Sequence, residues 1–223
     1  MLGNAMKWFG VAMTVLLLSG IAPALAAEPA EIEAWVKQLA SPNKPPEIDN
    51  GEVKSYPEGF DKEAQKQVFS AWKKLYELGP PVFPYLFDHL KDKPYSFTEF
   101  EPLEGDAENY SVGTACRLII TSQLQPYGED KTFGEGEQQS RSHRPSYFDQ
   151  LKLSDPKSAR FWWQMRNDKS LYELQIETLE WVIEREAKAG REYSLEERQH
   201  LNDVLKDLRD SGKALKPSWP FGK

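Results

Sequence analysis

The sequence predicts an all-α protein: an irregular bundle of about six or seven helices with one helical hairpin, preceded by a signal peptide. Three observations carry that expectation. Apolar residues recur at steps of three and four in one segment after another. Asp61, Asp155, Ser170 and Ser194 stand where helices need N-terminal caps. No run of residues alternates apolar and polar well enough to read as a strand.

The first segment reads as an address. Residues Met1 to Ala26 carry Lys7, an apolar run from Trp8 to Leu18, and the small-x-small triplet Ala24-Leu25-Ala26, the pattern of a cleaved secretory signal peptide. The run is too short for a comfortable membrane span, and Met6 offers a second start. No cysteine follows the small residues, so a lipoprotein anchor has no attachment point. Residues 27–223 then form a single α-helical domain, expected to be exported, periplasmic or secreted, with no stable membrane span after cleavage.

From Pro29 to Leu39, Ile32, Trp35, Val36 and Leu39 make one apolar stripe, stopped by Pro42, Pro45 and Pro46. Asn43 to Gly59 is rich in Pro, Gly and Asn without periodicity and reads as a surface connection. Asp61 then caps a helix carrying Ala64, Val68, Ala71, Trp72, Leu75 and Leu78, which ends at Gly79. After Pro80 and Pro81, a short helix bears Val82, Phe83, Leu86, Phe87 and Leu90 and runs to Lys91-Asp92. Ser111 to Leu124 is the next helix, whose apolar density places the lone Cys116 in the interior. Residues 127–147 are polar and Gly-rich, a long loop. Asp155-Pro156 opens a helix with Phe161, Trp162, Trp163 and Met165; the capping boxes Ser170/Glu173 and Ser194/Glu197 open the last two.

Within Ala64 to Asp92, the order Ala71-Trp72-Lys73-Lys74-Leu75-Tyr76-Glu77-Leu78-Gly79, then Val82, Pro84-Tyr85-Leu86 and His89-Leu90-Lys91-Asp92, resembles one helical hairpin of a HEAT-type repeat. Ser111-Val112 to Leu124 resembles the first helix of a second unit. An ordinary αα-hairpin has the same pattern. The resemblance implies a scaffold that binds other proteins, and brings no catalytic residue with it.

The helix from Leu171 to Lys188 is the most informative. Leu171, Leu174, Ile176, Leu179, Trp181, Val182 and Ile183 cover an apolar arc of roughly 220°, while Glu173, Glu177, Glu180 and Glu184 share the other face as a solvated acidic ridge. Gln175 falls inside the apolar arc, and Glu186 points nearly the same way. A buried amide or carboxylate must find partners, so both are candidate binding residues; a neighbouring loop backbone would satisfy Gln175, and a frayed helix end would leave Glu186 in water.

Trp162 and Trp163 cannot both face one core direction, so at least one is expected near the surface, where it could stack on a sugar ring. Arg141, His143 and Arg144 form the one locally basic patch, a candidate for an anionic ligand or acidic partner. Glu99, Glu101, Glu104, Asp106 and Glu108 cluster in a loop without the Asp-x-Asp-x-Asp-Gly pattern of a calcium site. His89, His143 and His200 lie far apart, and no nucleophile elbow or phosphate loop is present. The expectation is therefore no cofactor, no metal and no assigned catalytic residue.

Composition narrows the function classes. With 39% hydrophobic, 28% charged and 12% aromatic residues, the 223-residue chain is globular in composition. Its formal charge of −7 opposes a chain-wide grip on nucleic acid. A single cysteine excludes an intramolecular disulfide framework. What remains is an exported protein-interaction module with a protein partner; the alternative is a cell-wall glycan binder, or a glycan hydrolase using paired carboxylates.

Overall fold

The computed structural model describes residues 27–100, 107–125, 147–189 and 195–216. The signal-peptide reading and the basic patch Arg141, His143 and Arg144 lie outside the described residues. Within them the fold is mostly helical, and the all-α expectation needs one correction: two antiparallel hairpins accompany the helices.

α1 (Pro29–Gln38) starts at a capping box in which Glu28 and Glu31 satisfy each other's backbone N–H groups, with Pro29 at the first helical position. The chain then enters the first hairpin, β1 (Glu47–Asp49) and β2 (Glu52–Ser55), within the stretch the sequence reading treats as a surface connection. Its turn is Asn50-Gly51, both at positive φ (50° and 78°), the backbone a tight two-residue hairpin requires. Ile48 faces Val53 across it.

Asp61 opens α2 (Lys62–Leu78), its Oδ1 accepting from the N–H of Glu63 at 2.9 Å and of Ala64 at 3.0 Å. Gly79, at φ 76° and ψ −153°, ends the helix in a conformation that L side chains avoid. A 3₁₀ turn over Pro80–Val82 leads into α3 (Phe83–Phe87). α3 is shorter than its apolar spacing suggests: the chain leaves the helix at Phe87 and turns through to Asp92.

The second hairpin pairs β3 (Tyr95–Phe100) with β4 (Ala107–Ser111), placing Phe97 opposite Tyr110. Glu99 and Glu108 of the supposed acidic loop therefore face each other across a ladder. The hairpins touch, since Ala107 N–H donates to Gly51 O and Asn109 Nδ2 donates to Pro46 O at 2.9 Å.

Ser111 caps α4 (Val112–Leu124) by accepting from Thr114 N–H. Gly113, one residue in, donates its N–H to Asp92 O at 2.9 Å; a Cβ there would lie 2.6 Å from Leu90 O, so α4 passes directly over the turn that follows α3. α5 (Tyr147–Gln150) starts at the last residue of the expected loop, whose residues 127–146 lie outside the described residues. α6 (Pro156–Gln164) begins under Asp155, as the Asp-Pro pair implies; α7 (Leu171–Ala189) and α8 (Leu195–Ser211) follow.

Apolar surface is buried in two unequal places. The main core gathers α1, α2, α3, β3, α4, α5, α6 and the first turn of α7 around Trp72, Phe83, Phe87, Phe97 and Phe148. A second cluster, Leu179, Leu205 and Leu208, lies between α7 and α8.

Candidate functional site

α7 organises the polar chemistry of the molecule. Gln175 is fully buried, as its place in the apolar arc requires. Its Nε2 donates to Gln123 O at 2.9 Å and to Leu215 O at 3.0 Å, while its Oε1 accepts from Leu215 N–H at 2.8 Å. Gln123 in turn sends Nε2 to Tyr76 O at 2.8 Å. Tyr76 and Gln123 sit in the last turns of α2 and α4, where carbonyls lack helical partners. Two glutamines thus close two helix ends, and the chain of amides links α2, α4, α7 and the segment after α8.

Three of the four ridge glutamates, Glu173, Glu180 and Glu184, are exposed as expected, and each has a polar partner. Ser170 and Glu173 form the expected capping box, with Ser170 N–H donating to Glu173 Oε2 at 2.7 Å. Glu180 pairs with Arg209 and Glu184 with Lys188, each at 2.5 Å. Glu177, read as part of the wet face, is instead partly buried and held by Arg166 Nε at 2.6 Å and Lys169 Nζ at 2.5 Å. Burial pushes its carboxyl up, but the two cations outweigh burial and hold it below the ordinary carboxylate range.

That ion cluster borders the tryptophan pair. Trp162 is buried and donates Nε1–H to Tyr147 Oη at 2.9 Å, while the Tyr147 hydroxyl reaches toward Glu177 Oε1 at 3.5 Å. Burial pushes the Tyr147 hydroxyl up against the opposing hydrogen bond from Trp162. Trp163 is half-buried with its ring edge-on to Phe83 at 5.6 Å. Both indoles therefore pack on the main core. The outward face of α6 carries Phe161 and Met165, 67% and 65% exposed. Sequence reading looked for exposed tryptophan; a helical wheel anchored on Ala159 and Trp162 would have turned Phe161 and Met165 outward.

Elsewhere the polar groups are structural. Asp155 receives Lys91 Nζ at 2.7 Å and the Ser158 N–H at 3.1 Å, which hold its carboxyl at a pKa of about 2. Arg160 makes a two-pronged pair with Asp88, so α3 and α6 are bridged at two points. His89 Nδ1 meets Asp92 Oδ2 at 2.7 Å within one turn. Cys116 is buried as expected; burial first, then the nearby Asp92 charge, push its thiol up and keep it protonated. The side chain of Glu186 lies outside the described set. Among the described residues no group of three or more His, Cys, Asp or Glu could hold a metal ion.

Of the sequence candidates, the fold brings Trp162, Trp163 and the neighbouring Glu177 cluster together, and sets Gln175 apart at the end of the amide chain. Compared with protein-family models, curated proteins and solved structures, the chain matches none.

Proposed function

We propose that this is an exported protein-interaction module, binding its partner through the outward face of α6. The observation that carries the reading is the placement of Phe161 and Met165. They are two of the three large apolar side chains exposed among the described residues, and at one helical turn apart they are surface neighbours. Each would contribute roughly 1.5 to 3 kcal/mol if a partner covered it fully. Beneath them α6 is seated on the core by buried Trp162 and Ala159, with the exposed Asp88–Arg160 and Lys91–Asp155 pairs at its edge.

A glycan hydrolase needs one carboxylic acid whose pKa is raised. Among the described residues, the carboxylates with displaced pKa values, Asp155, Glu173, Glu177 and Glu184, are displaced downward by cations or N–H groups. The export half of the proposal rests on the charged, apolar and small-residue sequence of Met1 to Ala26.

The test is site-specific photocrosslinking of the full chain in cells, with a photoreactive phenylalanine analogue at Phe161 and, as control, at exposed Lys66 on α2. The expected result is one discrete protein adduct from position 161, absent from position 66 and lost in Met165→Ser, on a chain whose N-terminus is Ala27. Equal or absent crosslinking at the two positions would sink the reading.

A further inference from the structure

Past α8, Gly212 turns the chain at φ 62°, and residues 213–216 return to α7 without joining a helix or strand. One side chain fixes them. Gln175 Oε1 accepts the Leu215 N–H while Gln175 Nε2 donates to the Leu215 carbonyl. A carboxamide presents acceptor and donor side by side, so it meets both backbone groups of an extended residue as a neighbouring β-strand would. Such a contact reads main chain and is indifferent to the side chain attached to it.

Selectivity comes from the second contact. The Leu215 side chain packs against the cluster formed by Leu179, Leu205 and Leu208, with Ile176 at its border. The amide stays in place independently of Leu215, because its other N–H is bound to Gln123 O behind it. Lys216 is exposed, and the Lys213 backbone N–H bonds only locally, to Ser211 Oγ. The segment therefore has the anatomy of a bound peptide: two main-chain bonds to a fixed amide, one apolar side chain in a recess, and cationic flanks in water.

We infer that the Gln175 recess is a binding site for an extended, leucine-bearing peptide of another protein, held closed in this chain by residues 213–216 acting as an internal competitor. If Leu215 leaves, a buried donor and a buried acceptor lose their partners; water or an incoming backbone can take both, and only a leucine-bearing backbone also covers the Leu179, Leu205 and Leu208 cluster. A tethered competitor acts at an effective concentration on the order of millimolar, so the wild-type site is masked and opens when the tail is displaced. The site uses no residue of the α6 face, and its test stands whether or not that face has a partner.

The probe is a fluorescent acetyl-Lys-Ala-Leu-Lys-amide peptide, followed by anisotropy against the full chain. Leu215→Asp evicts the tail and is expected to bind the peptide at least tenfold more tightly than wild type. Adding Gln175→Asn, one methylene too short, is expected to remove that gain, whereas Phe161→Ser with Met165→Ser is expected to leave it. A folded Leu215→Asp protein that fails to bind the peptide, or that binds the Leu-to-Asp peptide equally well, would overturn the proposal. Should Leu215→Asp unfold, hydrogen exchange of the wild-type chain decides: excess peptide must speed exchange of the Leu215 amide, and unchanged protection overturns the inference.

Discussion

The two apolar clusters of this protein are built on different scales. Around α2 the core buries Trp72, Phe83, Phe87, Phe97 and Phe148 completely, drawing on eight elements that span most of the described chain. Among the described residues, the cluster between α7 and α8 has Leu179, Leu205 and Leu208 as its buried members, and most described side chains of α8 face water. Local opening costs least where few apolar contacts are lost, so α8 and the segment it delivers to Gln175 form the less stable part of the fold. The comparison sets a broad core against a narrow helix–helix contact.

The sharpest way to break the contrast is Trp72→Ala. Truncating a fully buried indole in the large cluster should cost about 3 to 5 kcal/mol in denaturant unfolding and destabilise every element together. Leu208→Ala should cost about 2 to 3 kcal/mol, but locally: hydrogen exchange should accelerate through α8 and at Leu215 while α2 amides keep their protection. Acceleration spreading equally into α2 would show the two clusters to be one cooperative unit.

A smaller effect belongs to the seam between the two parts. Glu177→Gln leaves Arg166 and Lys169 without their counter-charge and should cost about 1 to 2 kcal/mol near neutral pH. Because the Glu177 carboxyl in the fold lies below its ordinary 4.5, its contribution is complete above that value and disappears as pH falls through the lower folded one. Thermal melts of wild type and variant should therefore converge on acidification; a constant difference from pH 7 to pH 2 would contradict the ion cluster.

Helices were legible in the sequence because their signals are local. Asp61, Ser111 and Asp155 cap α2, α4 and α6, and Ser170 with Glu173 opens α7. The buried Gln175 followed from periodicity alone, and its partners are backbone carbonyls and an N–H, as a loop contact would supply. Strands were harder, since each hairpin is short; the first faces solvent, and the second buries Ser96, Phe97 and Ala107 without a clean alternation. The signal missed in the first was Asn50-Gly51 between Ile48 and Val53, a turn pair whose positive φ values admit little else. In the second, Tyr95, Phe97 and Phe100 lie beside an acidic stretch that masked their β-character. Glu177 was misread because a helical wheel counts only its own helix, whereas Arg166 and Lys169 arrive from the turn after α6.

Gly113 carries a consequence for how this fold can vary. Because a Cβ at that position would meet the backbone carbonyl of Leu90 at 2.6 Å, and a backbone atom cannot rotate out of the way as a side chain can, the crossing of α4 over the turn after α3 tolerates a single amino acid. In a saturation library selected only for folded protein, position 113 should collapse to one letter of the alphabet, while Phe161, a few helices away on the open face, should drift through nearly all of them.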